Sequence, residues 1–459
     1  MDFTIVAHSA AFQQRFIRDL AALVAIPSVS TLPRHEADIR AACDWLMTQL
    51  TEMGMRNVQR LESPRHPSVF AEWKVDDTAP TILIYGHYDV QPAEPLSLWD
   101  SPPFELTEKG DRVYGRGATD DKAGVVGTLM VIRTMMENGV LPAVNLKLFF
   151  EGEEEIGSPN VGSIVSENRE LLACDLVVSV DGCQPSTEQP ALMLGLRGGF
   201  SATLHMKGPA RDVHSGLYGG LIRNPVDAIC ELIASMRAPD GTILIKGFYD
   251  RVVELSETER EQINAVPFSE AEVLGNSGSS TLFGEPGYTP LERNWIRPTL
   301  EFSGIWGGHM ETSPKTIIPA EAHANIVARL VADQEPDETF QLVAKHVEAH
   351  TPAGAEAWLE QGPVRAQAYA MSGSHPANVI LSRILKEVFG REPYHSRIGG
   401  SIPVVPVFQQ ILEAPTIMCP FGINECNLHS PNEFNETVML QRGSETLFRL
   451  LKELGALTR

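Results

Sequence analysis

Short β-rich apolar runs alternate with helix-length segments in this chain, and this alternation limits its fold more than any other feature of the sequence. The runs at residues 81–85 (TILIY), 145–150 (NLKLFF) and 176–180 (LVVSV) have the length and composition of buried strands, and residues 122–138 have the pattern of a helix. Strands separated by helices favour a mostly parallel sheet covered on both faces by helices. The sequence therefore predicts an α/β fold for this part of the chain.

The middle of the chain has a different pattern, in which a half-exposed strand is followed by a helix and the same order recurs. The candidates, in chain order, are residues 200–206, 226–236, 324–331 and 340–350. Residues 270–295 are rich in Gly, Ser and Pro, which predicts loops there. Two strand–helix units of this kind predict a small α+β domain.

The two patterns divide the chain into two domains. Residues 1–193 and 376–459 are expected to form one discontinuous α/β domain, because a helical pattern of that style returns near residues 438–454. Residues 194–375 are expected to form an α+β domain inserted into it.

Charge and composition disfavour several classes of protein. Lys and Arg number 37 against 59 Asp and Glu, so the net charge is −22, while 43% of residues are hydrophobic. These values fit a globular protein and disfavour nucleic acid and anionic membranes as partners, since both attract basic patches. No apolar run has the length of a membrane span, and no signal-peptide pattern follows Asp2. Six scattered cysteines without a CxxC pair predict free thiols, so we expect a cytoplasmic protein.

Residues of the types that commonly bind metals follow each predicted buried strand. His87 and Asp89 follow the first strand, the acidic run at residues 151–155 (EGEEE) follows the second, and Asp181 follows the third. Ligands of open α/β sheets bind at the carboxyl ends of the strands. Consecutive glutamates beside a buried strand are unfavourable unless they bind a cation or a proton, although a surface acidic run is the alternative.

Two further segments carry residues of the same chemical types. Asp120 and Asp121 lie in GRGATDDKAG, and His429 lies in NLHSPNE. Adjacent aspartates repel each other unless a cation is near, but Asp is also favoured at a helix N-terminus without any metal. Taken together, imidazoles and carboxylates from several strand ends suit two metal ions such as Zn(II), Mn(II) or Co(II).

The segments GHYDVQP, GRGATDDKAG, EGEEEIGS, VSVDG and NLHSPNE resemble, in order and spacing, the metal-site motifs of a di-metal metallopeptidase superfamily. That superfamily contains carnosinase, aminoacylase and succinyl-diaminopimelate desuccinylase. The resemblance extends over nearly the whole chain. It is strongest to carnosinase-like cytosolic dipeptidases, because the segments GLRGG, DVHSGLYGG and SRIGGSIPV of this chain also resemble motifs of that branch. It implies two divalent ions per subunit, with Zn or Mn favoured and Co as a further option.

The resemblance also implies a role for individual residues. The implied metal ligands are His87 and Asp181 for one ion, Glu155 and His429 for the other, and Asp120 for both. The implied catalytic residues are Glu154 as general base, Asp89 behind His87, and His214 of the inserted domain beside the reacting carbonyl oxygen. The implied substrate-binding residues are Arg397, which would pair with a terminal carboxylate, and also Arg329 and Ser401.

The assignment of the glutamates depends on register. The family motif uses the last two of the three consecutive glutamates, so a shift of one residue would move the roles of both Glu154 and Glu155. Cys183 lies two residues after Asp181. It is expected to be a packed thiol that is close enough to the motif to be sensitive to oxidation.

The implied reaction is hydrolysis of the peptide bond of a dipeptide, or a short peptide, with a free C-terminal carboxylate. In it, Glu154 activates a metal-bridged water molecule. An N-acyl amino acid deacylase with the same site is the alternative. A non-catalytic metal- or peptide-binding protein is a more remote one, which the presence of Glu154 beside a full ligand set disfavours. The resemblance further implies a homodimer through the inserted lid domain, with His214 acting in the partner's site.

Overall fold

The computed structural model describes residues 3–400 and 402–457, which form two compact units. Unit 1 comprises Met1–Leu194, Met371–His395 and Pro403–Arg459, and unit 2 comprises Gly195–Ala370 and Ser396–Ile402. Within the described ranges, none of the helices combines the length and the apolar character that a membrane span requires.

The described residues form the following helices and strands, numbered in chain order. The helices are α1 (Phe3–Ala7), α2 (Ala10–Val24), α3 (Glu36–Glu52), α4 (Lys122–Glu137), α5 (Val161–Glu167), α6 (Arg169–Leu172), α7 (Ser215–Tyr218), α8 (Pro225–Met236), α9 (Glu257–Asn264), α10 (Glu270–Ser277), α11 (Pro290–Trp295), α12 (Pro336–His350), α13 (Pro376–Phe389), α14 (Val404–Val407) and α15 (Thr437–Glu453). The strands are β1 (Arg56–Leu61), β2 (Ser68–Trp73), β3 (Thr81–His87), β4 (Thr107–Lys109), β5 (Arg112–Tyr114), β6 (Asn145–Glu151), β7 (Leu176–Ser179), β8 (Cys183–Gln184), β9 (Ala191–Leu196), β10 (Gly198–Lys207), β11 (Val213–His214), β12 (Thr299–Gly307), β13 (Ile317–Ile318), β14 (Glu321–Leu330), β15 (Glu356–Ala366), β16 (Tyr369–Ala370), β17 (Tyr394–Ile398), β18 (Thr416–Met418), β19 (Gly422–Ile423) and β20 (Phe434–Glu436). Short 3₁₀ helices cover Pro33–His35, Leu96–Leu98, Glu154–Ile156 and Leu454–Ala456, and a π-helical turn covers Phe408–Leu412.

The main sheet of unit 1 is mixed. Its strand order is β1-β2-β6-β3-β7-β18, in which β6, β3, β7 and β18 pair in parallel, whereas β2 pairs antiparallel with both of its neighbours, β1 and β6. The three strands expected from the apolar runs are confirmed, as is the parallel arrangement at the centre of the sheet. The antiparallel edge was not expected, because β1 (RNVQRL) is polar and largely solvent-accessible and therefore carries no apolar signal.

The parallel strands of unit 1 end at a common edge. His87 is in register with Glu151 across β3 and β6, and Tyr85 is in register with Ser179 across β3 and β7. The residues that follow these strands therefore begin at one edge of the sheet, as the sequence predicts.

Helices α4 and α15 of unit 1 pack closely because two glycines leave room for one aromatic ring. A Cβ atom at Gly127 of α4 would lie 2.1 Å from Cε1 of Phe421, and one at Gly443 of α15 would lie 2.6 Å from its Cδ1. Phe421 itself is buried. This contact holds the segment around Phe421 close to α4. Asp120 and Asp121 lie directly before the first residue of that helix.

Unit 2 contains an antiparallel four-stranded sheet of order β12-β14-β10-β15. Alternate residues of β10 and β14 are buried, and side chains of α8, α12, β12 and residues 243–248 add to the same core. The strand and helix candidates in this part of the sequence are confirmed by β10, α8, β14 and α12. The core is formed by side chains such as Leu204, Met206, Ile229, Leu232 and Val343.

The expectation of loops throughout residues 270–295 is wrong, since α10 and α11 lie there. The hydroxyl group of Ser269 caps α10 by accepting a hydrogen bond from Glu272 N. Thr289 and Glu292 form a capping box at the start of α11, where Pro290 is the first helical residue. Pro290, one of the residues that suggested loops, thus starts a helix, and the flanking hydroxyl residues Ser269 and Thr289 are helix caps.

The segment Ser396–Ile402, which the sequence analysis places in the α/β domain, groups with unit 2. Arg197 explains this grouping through hydrogen bonds within unit 2. Its backbone N donates to the carbonyls of Ile398 (3.2 Å) and Gly400 (3.0 Å), and its Nε donates to the Gly399 carbonyl (3.0 Å).

Candidate metal centre

The edge of the unit 1 sheet carries most of the residues that the sequence analysis singled out as metal ligands. His87 is the last residue of β3, Glu155 follows β6 in a 3₁₀ helix, and Asp181 follows β7. Asp120 precedes α4, and His429 lies between β19 and β20. Strand ends, helix starts and one loop therefore bring five side chains to one place, all within unit 1.

These five residues form two groups that share Asp120. His87, Asp120 and Asp181 form one group, and Asp120, Glu155 and His429 form the other; the possible ligand atoms of each group lie within 4.8 Å of one another.

The two oxygens of Asp120 face different imidazoles. Oδ1 lies 3.0 Å from Nε2 of His87, and Oδ2 lies 3.0 Å from Nε2 of His429. The His87 and His429 rings also lie 4.0 Å from Asp181 Oδ1 and 3.2 Å from Glu155 Oε2, respectively. A carboxylate that belongs to both ligand groups could serve two metal ions.

Asp89 fixes the orientation of both His87 and the glutamates. Nδ1 of His87 lies 3.1 Å from the carbonyl oxygen of Asp89 and 3.5 Å from its Oδ1. Because a carbonyl oxygen only accepts, Nδ1 carries a proton and Nε2 is the atom available to a metal. The Asp89 carboxylate accepts hydrogen bonds from the backbone N atoms of Glu154 (3.2 Å) and Glu155 (3.0 Å).

The acidic run after β6 contains residues with different partners. Glu151 is buried and accepts from the Tyr85 hydroxyl at 2.9 Å. Glu153 is buried and accepts from Ser63, from His66 N at 2.8 Å and from Asn160 at 2.8 Å. Glu151 thus contacts the neighbouring strand β3, and Glu153 holds neighbouring loops. Glu154 and Glu155 begin the 3₁₀ helix that follows, and Glu155 is the one that approaches His429.

Burial and mutual repulsion raise the pKa values of several carboxyls in the centre. Burial raises the pKa of Asp181 to about 6 and also raises the pKa values of Glu154 and Glu155. Burial acts in the same direction on Asp120, but hydrogen bonds with His429 and His87 outweigh it and hold the pKa of Asp120 below its usual range. Four carboxyls so close together are unfavourable without positive charge.

The two imidazoles supply that positive charge when no metal is bound. Hydrogen bonds with Asp120 and Glu155 raise the pKa of His429 to about 10. Burial lowers the pKa of His87, but hydrogen bonds with Asp120 and Asp89 raise it overall well above its ordinary value. Divalent cations would replace these protons, since carboxylates and neutral imidazoles are their ligands. The donor set therefore fits a pair of such ions.

Glu433 is an important residue to which the sequence analysis gave no role. Its fully buried carboxylate accepts from Nη1 of Arg116 at 2.7 Å and from the backbone N atoms of Gly117 (3.0 Å), Thr119 (2.9 Å) and Asp120 (3.1 Å). It thereby holds the turn that presents Asp120. The signal was present, because Glu433 ends NLHSPNE and Arg116 lies in GRGATDDKAG.

Gln91, in GHYDVQP, is a second such residue. Its backbone N and side-chain Nε2 donate to the Glu155 carboxylate at 3.1 and 2.9 Å, and Nε2 also contacts the Glu155 carbonyl at 3.0 Å. This clamp orients Glu155 towards His429.

The remaining predicted site residues belong to unit 2. His214 ends β11 and is exposed, Arg329 lies in β14 opposite Gly199, and Arg397 lies in β17 with Nη2 3.9 Å from Glu259 Oε1. Ser401 lies outside the described residues. Their roles in substrate binding and catalysis stay predictions.

Comparison with known proteins identifies the family. The sequence model of Peptidase family M20/M25/M40 matches residues 83–453. The chain belongs to this family. The match includes every residue of the candidate metal centre, so the resemblance seen in the five motifs is confirmed.

Relatives within the M20 family match nearly the whole chain. The Cys-Gly metallodipeptidase dug1 of Schizosaccharomyces pombe is 29% identical over 461 residues, covering 97% of each chain. The human Beta-Ala-His dipeptidase is 30% identical over 444 residues, covering 92% of this chain and 86% of the relative. The crystal structure of the M20 family metallo-carboxypeptidase Sso-CP2 from Sulfolobus solfataricus has a TM-score of 0.81 at 29% identity, covering 96% of this chain and 99% of that one. The mixed α/β fold is thus that of M20 peptidases.

The role of Glu433 in this M20 protein leads to a prediction. Glu433→Gln removes the negative charge from a pair whose side chains are 2% (Arg116) and 0% (Glu433) exposed. Breaking such a buried pair costs about 3–5 kcal/mol in the free energy of unfolding. Urea denaturation of the metal-free protein measures this loss.

Glu436→Gln is the matched control, because Glu436 pairs with Arg112, whose side chain is 44% exposed. Its loss is expected to be about 1 kcal/mol or less. Equal losses in the two variants would contradict the role given to Glu433.

Proposed function

We propose that this M20 protein is a dipeptidase that hydrolyses the peptide bond of dipeptides, or short peptides, with a free C-terminal carboxylate. The observation that carries the proposal is the pair of ligand groups that share Asp120, with Glu154 adjacent in sequence to the ligand Glu155. Two relatives, a Cys-Gly metallodipeptidase and a Beta-Ala-His dipeptidase, support the substrate class.

The residues that would hold two divalent ions are His87 and Asp181 on one side, Glu155 and His429 on the other, and Asp120 between them. Zn(II) or Mn(II) suits these nitrogen and oxygen donors best, and Co(II) is a further candidate. When bound, such ions polarise the substrate carbonyl and make water more acidic.

Glu154 is the proposed general base and acid. Its backbone is fixed by the Asp89 carboxylate, and burial raises the pKa of its side chain, which makes the carboxylate a stronger base. We propose that Glu154 takes a proton from the attacking water molecule and returns it to the departing amine nitrogen. Asp89 acts through His87 and the glutamate backbone and is therefore a positioning residue.

His214 is proposed to donate a hydrogen bond to the reacting carbonyl oxygen. Gly216 N donates to Nδ1 of His214 at 3.0 Å, so the proton of the neutral ring resides on Nε2. The ring is exposed and therefore accessible to a second molecule.

Arg397 is proposed to bind the substrate's terminal carboxylate, with Arg329 and Ser401 as further substrate contacts. Arg397 is half-buried, and burial lowers its pKa, with Glu259 acting in the opposite direction. A guanidinium group that is partly removed from water gains from pairing with a carboxylate.

The proposed roles of the two domains follow from this division of residues. Residues 1–193 and 376–459 carry the metal centre, while residues 194–375 serve as the lid and as the dimerisation surface. We propose a cytoplasmic homodimer that acts on small peptides, with neither nucleic acid nor membranes as partners, in keeping with the acidic composition.

The substrate class is tested with a panel of dipeptides, their C-terminal amides and N-acyl amino acids, each assayed after chelation and after addition of Zn(II), Mn(II) or Co(II). We expect release of free amino acids from dipeptides only with metal, and a lower kcat/KM for the amides. The Arg397→Ala variant should lose most of its preference for the free carboxylate, a loss worth about 2–5 kcal/mol. Faster turnover of N-acyl amino acids than of any dipeptide would instead identify a deacylase.

Glu154→Gln tests the general base. Glutamine keeps the size of the side chain but accepts no proton, so kcat should fall by about a hundred- to ten-thousand-fold. Elemental analysis should still find two ions per subunit, because Glu154 is not one of the five ligands. Glu153→Gln is the comparison, and the register is off by one if that variant loses turnover while Glu154→Gln loses metal.

Subunit mixing tests His214. If His214 acts in the partner's site, a heterodimer of Glu154→Gln and His214→Ala chains contains one intact site, and random reassembly should restore about a quarter of native activity. Mixing Glu154→Gln with Asp120→Asn chains is the control without recovery, since both residues serve the same chain's centre. Heterodimers that form by native mass spectrometry but recover nothing would exclude action in the partner's site.

A further inference from the structure

Two cysteines that are distant in sequence lie side by side next to the metal centre. Cys183 begins β8, two residues after Asp181, and Cys426 lies three residues before His429. Their Sγ atoms are 3.9 Å apart, and both residues belong to unit 1. Neither thiol has a part in the proposed hydrolysis.

The backbone around the pair explains the closeness of the two sulfur atoms. β8 pairs in parallel with β19, and Gly422 is directly opposite Cys183. A Cβ atom at Gly422 would lie 2.2 Å from Thr119 Cγ2 and 3.2 Å from Cys183 Sγ, so the glycine makes room for Thr119 first and also lets the sulfur lie close to the backbone of β19. Cys426 is held over it by two backbone hydrogen bonds, from its own N to the Ile423 carbonyl (3.3 Å) and from Phe434 N to its carbonyl (3.1 Å).

A disulfide requires only a small movement of this pair. The sulfur atoms of a disulfide are about 2.05 Å apart, so the two Sγ atoms must approach by about 1.9 Å. Cys183 is partly accessible whereas Cys426 is buried. A dissolved reagent therefore meets Cys183 first, and Cys426 is placed to react with it second.

We propose that Cys183 and Cys426 form a modification site that reacts with low-molecular-weight disulfides and closes to an intramolecular disulfide. The Cys183 thiolate attacks one sulfur of the reagent, forms a mixed disulfide and expels one thiolate. The Cys426 thiolate then attacks the Cys183 sulfur, forms the Cys183–Cys426 bond and expels the second thiolate. The two protein thiols lose two electrons and two protons, and the reagent is reduced to two thiols.

Closure of this disulfide acts on the metal centre. The bond joins the segment of Asp181 to the segment of His429, and these residues belong to different ligand groups on the two sides of Asp120. A movement of either segment changes the position of Asp181 or His429. Loss of the contacts that orient a metal-binding residue weakens metal binding by about 10- to 100-fold. The oxidised protein is therefore expected to lose metal; this part of the inference rests on the proposed function.

The first test needs no activity. The full-length protein is incubated with oxidised glutathione, free thiols are alkylated, and peptides are mapped by mass spectrometry. We expect a Cys183–Cys426 cross-linked peptide that dithiothreitol cleaves. Cys230→Ser, which removes an exposed thiol, should form the same cross-link, whereas Cys183→Ser should not.

Recovery of Cys183 and Cys426 as separately alkylated or separately glutathionylated residues, while exposed Cys230 carries glutathione, would overturn the proposal. That outcome would show that the reagent reached the protein but that the pair did not close.

The second test measures metal content after dialysis of the reduced and the cross-linked protein. We expect two ions in the reduced protein, fewer in the cross-linked protein and no effect of oxidant on Cys183→Ser. Retention of both ions by fully cross-linked protein would contradict the link to the metal centre. Failure of the proposed function is a separate result, because a reduced protein without metal refutes the metal site and leaves the cross-link intact.

Discussion

The concentration of negative charge at one edge of a sheet is the constraint on which the structure of unit 1 depends. Asp120, Glu154, Glu155 and Asp181 meet where buried parallel strands end, and burial raises the pKa of three of these four carboxyls. Such a cluster is stable only with compensating positive charge, from protonated imidazoles or from divalent cations. Backbone N–H groups orient the glutamates, and a buried ion pair holds the turn before Asp120. The negative charge of the carboxylates therefore stays directed towards a cation.

Different carboxylates orient different parts of the candidate metal centre through their hydrogen bonds. Asp89 orders the start of the 3₁₀ helix that carries Glu154 and Glu155, while Glu433 orders the turn before Asp120. Glu153 ties the neighbouring loops together through His66 N and Asn160 Nδ2. Acidic residues of one short stretch thus differ in role because their hydrogen-bond partners differ. The distinction between structural and functional carboxylates depends on these partners rather than on the sequence alone.

Much of the centre is predictable from sequence because local pattern and sheet geometry act together. Apolar runs identify β3, β6 and β7, and parallel strands bring their carboxyl ends together, so His87, Glu155 and Asp181 are expected to meet. Contacts over long sequence separations have no local signal. The Glu433–Arg116 pair spans 317 positions, and the cysteine pair spans 243.

The prediction of loops at residues 270–295 is wrong for another reason, since Ser and Pro occur at helix N-termini as well as in loops. The roles of His214, Arg329 and Arg397 depend on how a substrate, or a second subunit, approaches unit 2, and no pattern within one sequence encodes that approach.

The hydrogen bond from Asp120 N to Glu433 has a consequence for biosynthesis. Glu433 and His429 follow Asp120 by 313 and 309 positions. A ribosome therefore releases Asp120, Glu155 and Asp181, and then the entire segment Gly195–Ala370 of unit 2, before it synthesises the residues that complete the centre. A growing polypeptide consequently holds no finished hydrolytic site, and the inserted unit has time to fold before the two distant parts of unit 1 come together.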